Sequence, residues 1–301
     1  MVKIRERKTG NNTYYYLEHS FRLNGKVVKK ELYLGKQIPK NIDSIKAKFL
    51  QEVYNQKWYV LLDQIKANYK KDMRSATVSE REKELEGFMI KFTYDTQRIE
   101  GSTLNLKETA NLLQHGITPS NRPSRDVKET EAHSKLFYEM LDYKKDLNLQ
   151  TVLGWHYLLF RDTKPDIAGK VRTRQVLIVA TKFVPPSPAV VPAELNDFFK
   201  WYNKNKDKIH PVELAALVHL KFVTIHPFVD GNGRMSRILM NFVLNKHGYP
   251  MLNIPYVNRA GYYTSLERAQ VKRNDLVFVS WFFRRYEKEY GRYAKTPPSK
   301  S

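Results

Sequence analysis

Residues 212–243 limit the fold of this chain most: two apolar helices joined by a short polar loop. Val212, Leu214, Leu217, Val218, Leu220, Phe222 and Val223 leave almost no polar face, which predicts a helix buried on all sides. Beyond the loop, Ile238, Leu239, Phe242 and Val243 recur at helical spacing, so a second helix starts near Gly233 or Arg234. From His226 to Arg237 the sequence reads HPFVDGNGRMSR. Two glycines two apart give the backbone access to positive φ and let its N–H groups approach a ligand closely. The start of a helix adds unpaired N–H donors and the positive end of a dipole, a site suited to an anion. Arg234 and Arg237 lie three apart, on one helix face. Asp230 among anion-binding groups suggests a Mg²⁺ ligand, because that ion takes carboxylate oxygens together with phosphates. His226 can accept a proton near neutral pH. Singly, each of these signals is common in loops. Together, over one short stretch, they specify a phosphate-handling site with a base.

Position by position, this stretch resembles the Fic-domain motif H-P-F-x-[D/E]-G-N-G-R-x-x-R, with no departure. The resemblance implies a mainly α-helical Fic-type core with a β-hairpin flap. It also implies transfer of a nucleotide monophosphate, usually AMP from ATP, onto a hydroxyl of a protein, whether another protein or the chain itself. His226 is then the catalytic base, ATP the substrate, and Mg²⁺ the metal held by Asp230. Asp230, Gly231, Asn232, Gly233, Arg234, Met235, Ser236 and Arg237 form the nucleotide-binding nest, with Asn232 and Arg234 on the α and β phosphates. Upstream, Thr96-Gln-Arg-Ile-Glu100-Gly101 resembles the family's [S/T]-x-x-x-E-[G/N] inhibitory motif. The implied role is that Glu100 reaches Arg237 and takes the space the ATP γ-phosphate needs. A two-bonded pair between carboxylate and guanidinium would consume the phosphate-binding fork. Val176, Leu177, Ile178 and Val179 form a β-branched run ahead of Pro185-Pro186 and read as part of a hairpin. By resemblance this is the flap, whose extended edge aligns a target peptide by strand addition. Tyr262 and Tyr263 read from pattern alone as packing residues. In the resembled family a Tyr here lines the adenine pocket, and an Asn seven residues later also touches the nucleotide; this chain has Gln270 instead. The resemblance runs from about Phe88 to Tyr290.

Residues 1–40 read as a separate basic β-hairpin module. Tyr14 to Glu18, Phe21 to Leu23 and Val27 to Leu34 are rich in aromatic and β-branched residues, and Asn24-Gly25 is a two-residue turn signal. Lys and Arg number 10 there against 3 Asp and Glu, which leaves nucleic acid and a protein target both open as partners. Tyr14 to Tyr16 read as cross-strand packing rather than a base-stacking platform. Residues 41–87 read as a helical connector, whose amphipathic stretch leaves a homodimer open. Residues 88–292 read as the Fic domain with its inhibitory helix, and 293–301 as a disordered tail. His133 and His156 lie on expected core helices without metal-ligand spacing and read as structural.

The formal net charge of +21 favours anionic partners. The absence of cysteine excludes disulfides, thiolate catalysis and Cys-ligated zinc. With a charged N-terminus and no apolar run long enough to span a bilayer, the expectation is a cytoplasmic protein with no membrane partner. Three activities stay open beside AMP transfer. One is UMP or γ-phosphoryl transfer on the same fold. Another is removal of AMP from a modified protein, with Glu100 positioning a water. The third is a nucleic-acid-associated regulator with a vestigial Fic site.

Overall fold

The structure, a computed structural model, describes residues 2–23, 26–179 and 181–294. The expected Asn24-Gly25 turn and residues 295–301 of the expected disordered tail lie outside the described residues, whereas Tyr293 and Ala294 of that tail belong to a short 3-10 turn, Gly291–Ala294. The chain divides into two compact units, Met1–Asn68 with Tyr290–Ser301, and Tyr69–Glu289.

In the first unit, β1 (Lys3–Thr9), β2 (Asn12–Leu23) and β3 (Lys26–Gly35) form an antiparallel sheet in that order. Side chains alternate across β2, so Leu17 and Phe21 point to one face and pack with Phe49 and Val53 of α1 (Ile42–Tyr54). Tyr14, Tyr16 and Glu18 take the other face. The Tyr16 and Tyr33 rings lie 5.2 Å apart across the β2–β3 ladder, the cross-strand packing expected for these tyrosines. Arg5, Arg7 and Lys29 on the same face pair with Glu18 and Glu31. β1 had no sequence signal. Its KIRERKT stretch is charged and almost wholly exposed, and pairing from Lys3 opposite Glu18 to Thr9 opposite Asn12 makes it a strand. One π turn, Asn55–Tyr59, leads from α1 into α2 (Val60–Ser75).

The second unit is helical. α3 (Val78–Ile99), α4 (Leu106–His115), α5 (Ser124–Asp142), α6 (Leu149–Phe160) and α7 (Val191–Asn205) precede the central pair α8 (Pro211–Ile225) and α9 (Asn232–Lys246); α10 (Arg259–Val271) and α11 (Asp275–Tyr290) follow. α8 and α9 pack on each other, with α3, α5 and α6 against α9 and α7 against α8. Met235, Ile238, Leu239, Met240 and Val243 are fully buried, so α9 is held on every side except near its first turn. α3 starts with a reciprocal cap. The Glu80 N–H donates to Thr77 Oγ1 at 3.3 Å, and the Thr77 N–H donates to the Glu80 carboxylate at 2.7 Å. At its other end the chain turns at Gly101, φ 94°, a left-handed value that glycine takes without strain. This turn leaves Glu100 at the C-terminal end of α3.

The expected hairpin near the flap differs in detail. Residues 170–179 and 181–187 carry neither helix nor strand, and among the described residues no strand ladder joins the two limbs. Arg172 donates across to the Pro186 carbonyl at 2.6 Å, and Gln175 to the Pro185 carbonyl at 3.0 Å. Two successive prolines have no N–H to offer a ladder, so side chains tie the limbs instead. Among the described residues, no helix is long and apolar enough to cross a membrane.

Thr77→Ala removes the cap at the start of the helix that carries Glu100 and should cost about 1 kcal/mol in urea unfolding. A midpoint equal to wild type would show that this cap contributes nothing.

Candidate active site

The loop after α8 turns on two left-handed residues, His226 and Gly231, while Gly233 already lies in the first turn of α9. His226 closes α8 with φ 51°, and its N–H donates to the Phe222 carbonyl at 3.1 Å. A non-glycine residue in this region is uncommon and is retained where surrounding contacts hold it. Here Arg172 provides them: its N–H donates to the Pro227 carbonyl at 2.9 Å and its Nε to the His226 carbonyl at 2.7 Å. Asn232 closes the loop from within. Its Nδ2 donates to the Phe228 carbonyl and its Oδ1 accepts from the Phe228 N–H, both at 2.9 Å. Both side-chain groups are therefore spent on the loop, not aimed outward. Gly231 has φ 84°, and a Cβ there would sit 2.4 Å from the Phe160 ring, so no other residue fits.

His156 supports the loop from beneath. Its ring stacks on Phe228 at 3.7 Å, and its Nδ1 accepts the Gly169 N–H at 2.9 Å. That assigns the proton to Nε2, which donates to the Asp230 carbonyl at 3.0 Å. Read from sequence as a core histidine, it fixes where Asp230 lies. Its partner is 74 residues away, so no local signal could reveal this.

His226 Nδ1 donates to the Val223 carbonyl at 3.2 Å, which leaves Nε2 with a free lone pair. Burial pushes the His226 pKa below its ordinary value, with its bond to Val223 opposing, so the ring is neutral at pH 7. At the start of α9, the N–H groups of Asn232, Gly233 and Arg234 have no acceptor among the described residues. The Asp230 Oδ1 accepts from the Gly231 N–H at 2.5 Å and from Arg234 Nη2 at 3.0 Å, and Lys164 donates to Oδ2. Burial acts to raise the Asp230 pKa, but Arg234 and Lys164 bring it down to about 2. Arg234 is buried and also bonds Glu129 and, at 3.3 Å, Gln97. Lys164, Glu129 and Gln97 come from three other elements and carried no sequence signal.

Glu100 and Arg237 meet, 137 residues apart in the chain. Arg237 Nη2 donates to Glu100 Oε1 at 2.6 Å. The pair has one bond, not the two expected, because Thr96 and Tyr262 hold the rest of the guanidinium at 3.3 Å each. Behind it, the Tyr262 hydroxyl is hydrogen-bonded to His219 Nε2 at 2.9 Å. Gly233 makes the meeting possible: a Cβ there would lie 2.2 Å from Glu100 Oε1 and 3.1 Å from Arg237 Nη1. A carboxylate at the C-terminal end of α3 faces the negative end of that helix, which is unfavourable. The same carboxylate lies at the N-terminal end of α9, where an anion is favoured.

A cavity of about 380 Å³ opens beside this pair. Glu100, Ile178, Val179, His226, Gly233, Arg237, Tyr262, Tyr263 and Gln270 line it. Tyr262 is buried with its hydroxyl spent on Arg237 and His219, whereas Tyr263 is half exposed and donates to the Ile99 carbonyl at 3.1 Å. Gln270 Nε2 donates to Thr224 Oγ1 at 3.2 Å. Val176 and Leu177 do not line the cavity. Met235 and Ser236 are fully buried away from it, Ser236 bonding the Gly233 carbonyl at 2.9 Å. A smaller polar cavity of about 100 Å³ has Glu100, Glu129, Lys164, Asp230 and Arg234 in its wall, so Glu100 stands between the two.

Residues 146–244 match the Fic/DOC family. This chain carries a Fic domain. The protein adenylyltransferase fic-1 of Caenorhabditis elegans is 34% identical over 209 residues, 67% of this chain and 40% of that protein. The chain thus spans about two-fifths of the length of that curated relative. A Fic domain containing signalling protein from Bacteroides thetaiotaomicron superimposes with a TM-score of 0.69 at 28% identity, over 77% of this chain and 96% of the other. A structure of C. elegans Fic-1 gives 0.65 at 27% identity, over 85% of this chain and 73% of the other. The mainly helical Fic fold and the added N-terminal sheet stand as expected from the sequence.

Two buried histidines near Arg237 set a pH dependence. Burial, then Arg237 and Arg234, lower His133 to about 3, and burial with Arg237 lowers His219 well below its ordinary value. Unfolding frees both to bind protons, so the stability they contribute is full above their usual pKa of 6.5 and falls as pH drops. Urea unfolding should lose on the order of 1–2 kcal/mol per histidine between pH 7 and ~5, above the range where exposed carboxylates titrate. A flat stability over that interval would contradict their burial as neutral rings.

Proposed function

We propose that this chain is a protein adenylyltransferase that moves AMP from ATP to a Ser, Thr or Tyr hydroxyl and holds itself in check through Glu100. The observation that carries the reading is the loop itself: a neutral, proton-accepting His226 beside three acceptor-free N–H groups at a helix start. In the proposed reaction the target oxygen forms a bond to the α-phosphorus while its proton passes to His226 Nε2. The bond from the α-phosphorus to the bridging oxygen breaks, and pyrophosphate leaves. The α9 N–H groups and Arg234 stabilise charge on the phosphates, and positioning and electrostatics carry most of the acceleration. Tyr263 and Gln270 border the space for the nucleoside, and Ile178 and Val179 present the flap edge to the target backbone.

Asp230 fits the metal requirement. It is ionised, partly open to solvent and beside the helix start, and Mg²⁺ uses one or two carboxylates together with substrate phosphates. When bound, that ion would neutralise phosphate charge. The proposed reaction does not depend on the basic N-terminal sheet. Arg5, Arg7 and Lys29 on its outer face already pair with Glu18 and Glu31, which weakens the electrostatic case for nucleic acid there.

The test is self-labelling and target labelling with α-³²P-ATP. Glu100→Gly should raise the rate roughly 30- to 150-fold, the effect of ~2–3 kcal/mol at the reacting geometry. In that background His226→Ala should lower it by roughly 10²–10⁴ while leaving the unfolding midpoint close to its parent's. Label unaffected by His226→Ala would remove His226 from the mechanism. Label from γ-³²P-ATP instead would make the chain a phosphoryl transferase, and release of AMP from a pre-modified target by wild type would favour removal of AMP.

A further inference from the structure

Lys164 lies four residues beyond the end of α6, and its backbone N–H is fixed by a 2.8 Å bond to the Phe160 carbonyl. Its ammonium bonds Asp230 Oδ2 and stands 3.3 Å from Glu129 Oε1. The Glu129 oxygen has no hydrogen bond of its own, although Glu129 is buried. One point charge is therefore shared by two carboxylates from different parts of the fold, at the wall of the smaller polar cavity. A compact cation among carboxylate oxygens is the environment a hard divalent ion seeks.

We propose that Lys164 is a resident counter-cation that occupies the metal-facing oxygen of Asp230 and makes divalent-ion binding depend on nucleotide. This rests on the reading of Asp230 as the metal-facing carboxylate. Arg234 pairs with the other oxygen of each carboxylate, so without nucleotide Lys164 and Arg234 together neutralise Asp230 and Glu129, and a divalent ion entering on the Lys164 side meets the ammonium charge. With nucleotide, the phosphates supply new acceptors for the ammonium, and Lys164 turns from Asp230 toward them. The order of binding is thereby built into one side chain, and it is separate from the contact of Glu100 with Arg237.

Removing the charge should convert the place into a two-carboxylate cation site. Mn²⁺ binding to the full chain without nucleotide, followed by the EPR signal of the free ion, reads this directly. Lys164→Met keeps an unbranched apolar side chain, removes the ammonium that lies 5.0 Å from the Phe160 ring centre, and should bind one Mn²⁺ about tenfold or more tighter than wild type. Lys164→Arg should stay like wild type, and Asp230→Asn added to Lys164→Met should abolish the gain. Lys164→Gln replaces the Met variant if the latter loses its near-UV signal. Equal Mn²⁺ affinity in wild type and a folded charge-free variant would overturn the proposal. A separate arm tests the underlying reading. With a non-hydrolysable ATP analogue bound, wild type should take up Mn²⁺ and Asp230→Asn should not. Uptake retained by Asp230→Asn would overturn the role of Asp230, whereas uptake lost there with no gain in Lys164→Met would overturn that of Lys164 alone.

Discussion

The carboxylate of Glu100 sits at the end of α3 and at the beginning of α9, and the arrangement of the site depends on that position. At the first place it opposes a helix dipole, and at the second it satisfies one. The chain thus places its own anion beside a helix start whose N–H groups have no acceptor among the described residues. Gly233 leaves the room, since any side chain there would meet Glu100 and Arg237. Thr96 and Tyr262 hold the guanidinium from behind, so the position of Arg237 does not depend on Glu100 alone. The contact with Glu100 is a single bond in a partly open wall, not a fully enclosed pair. An interaction of that kind can be exchanged for another anion at modest cost, whereas breaking a fully desolvated pair costs several kcal/mol.

The motif loop was legible because its chemistry is local. The apolar runs on either side of HPFVDGNGRMSR predict two buried helices, and helix starts bind anions whatever the rest of the fold does. Glu100 was reachable from sequence only through its resemblance to a known motif, since nothing in its own neighbourhood points to Arg237. The supports were not legible. His156, Lys164, Glu129 and Arg172 each act on the loop across 54 to 105 residues, and each looks in sequence like an ordinary core or surface residue. The same limit explains Asn232: its type suggests an outward amide, but a carbonyl and an N–H of Phe228 lie within reach and take both of its groups. β1 failed for another reason, because an edge strand needs a neighbour and not an apolar pattern.

The stretch expected to form a flap hairpin shows how local chemistry can change the form of a segment. A β-branched run reads as strand, yet two prolines deny the second limb its donors, and Arg172 and Gln175 bridge the limbs instead. Among the described residues no ladder takes the backbone groups of Ile178 and Val179, which lie beside the larger cavity. Arg172 links this segment to His226, because the same side chain bonds the His226 carbonyl. Under the proposed function, target alignment and proton acceptance would share one anchoring residue.

The claim that Glu100 stands where the γ-phosphate belongs is tested most directly by comparing ADP with ATP in calorimetric titrations. If Glu100 holds Arg237, the third phosphate gains nothing in wild type, and the two nucleotides should bind within about threefold of each other. In Glu100→Gly the freed guanidinium should favour ATP over ADP by about tenfold or more. The same ratio of affinities in both proteins would contradict the account, because it would mean that Glu100 and the γ-phosphate do not compete for Arg237.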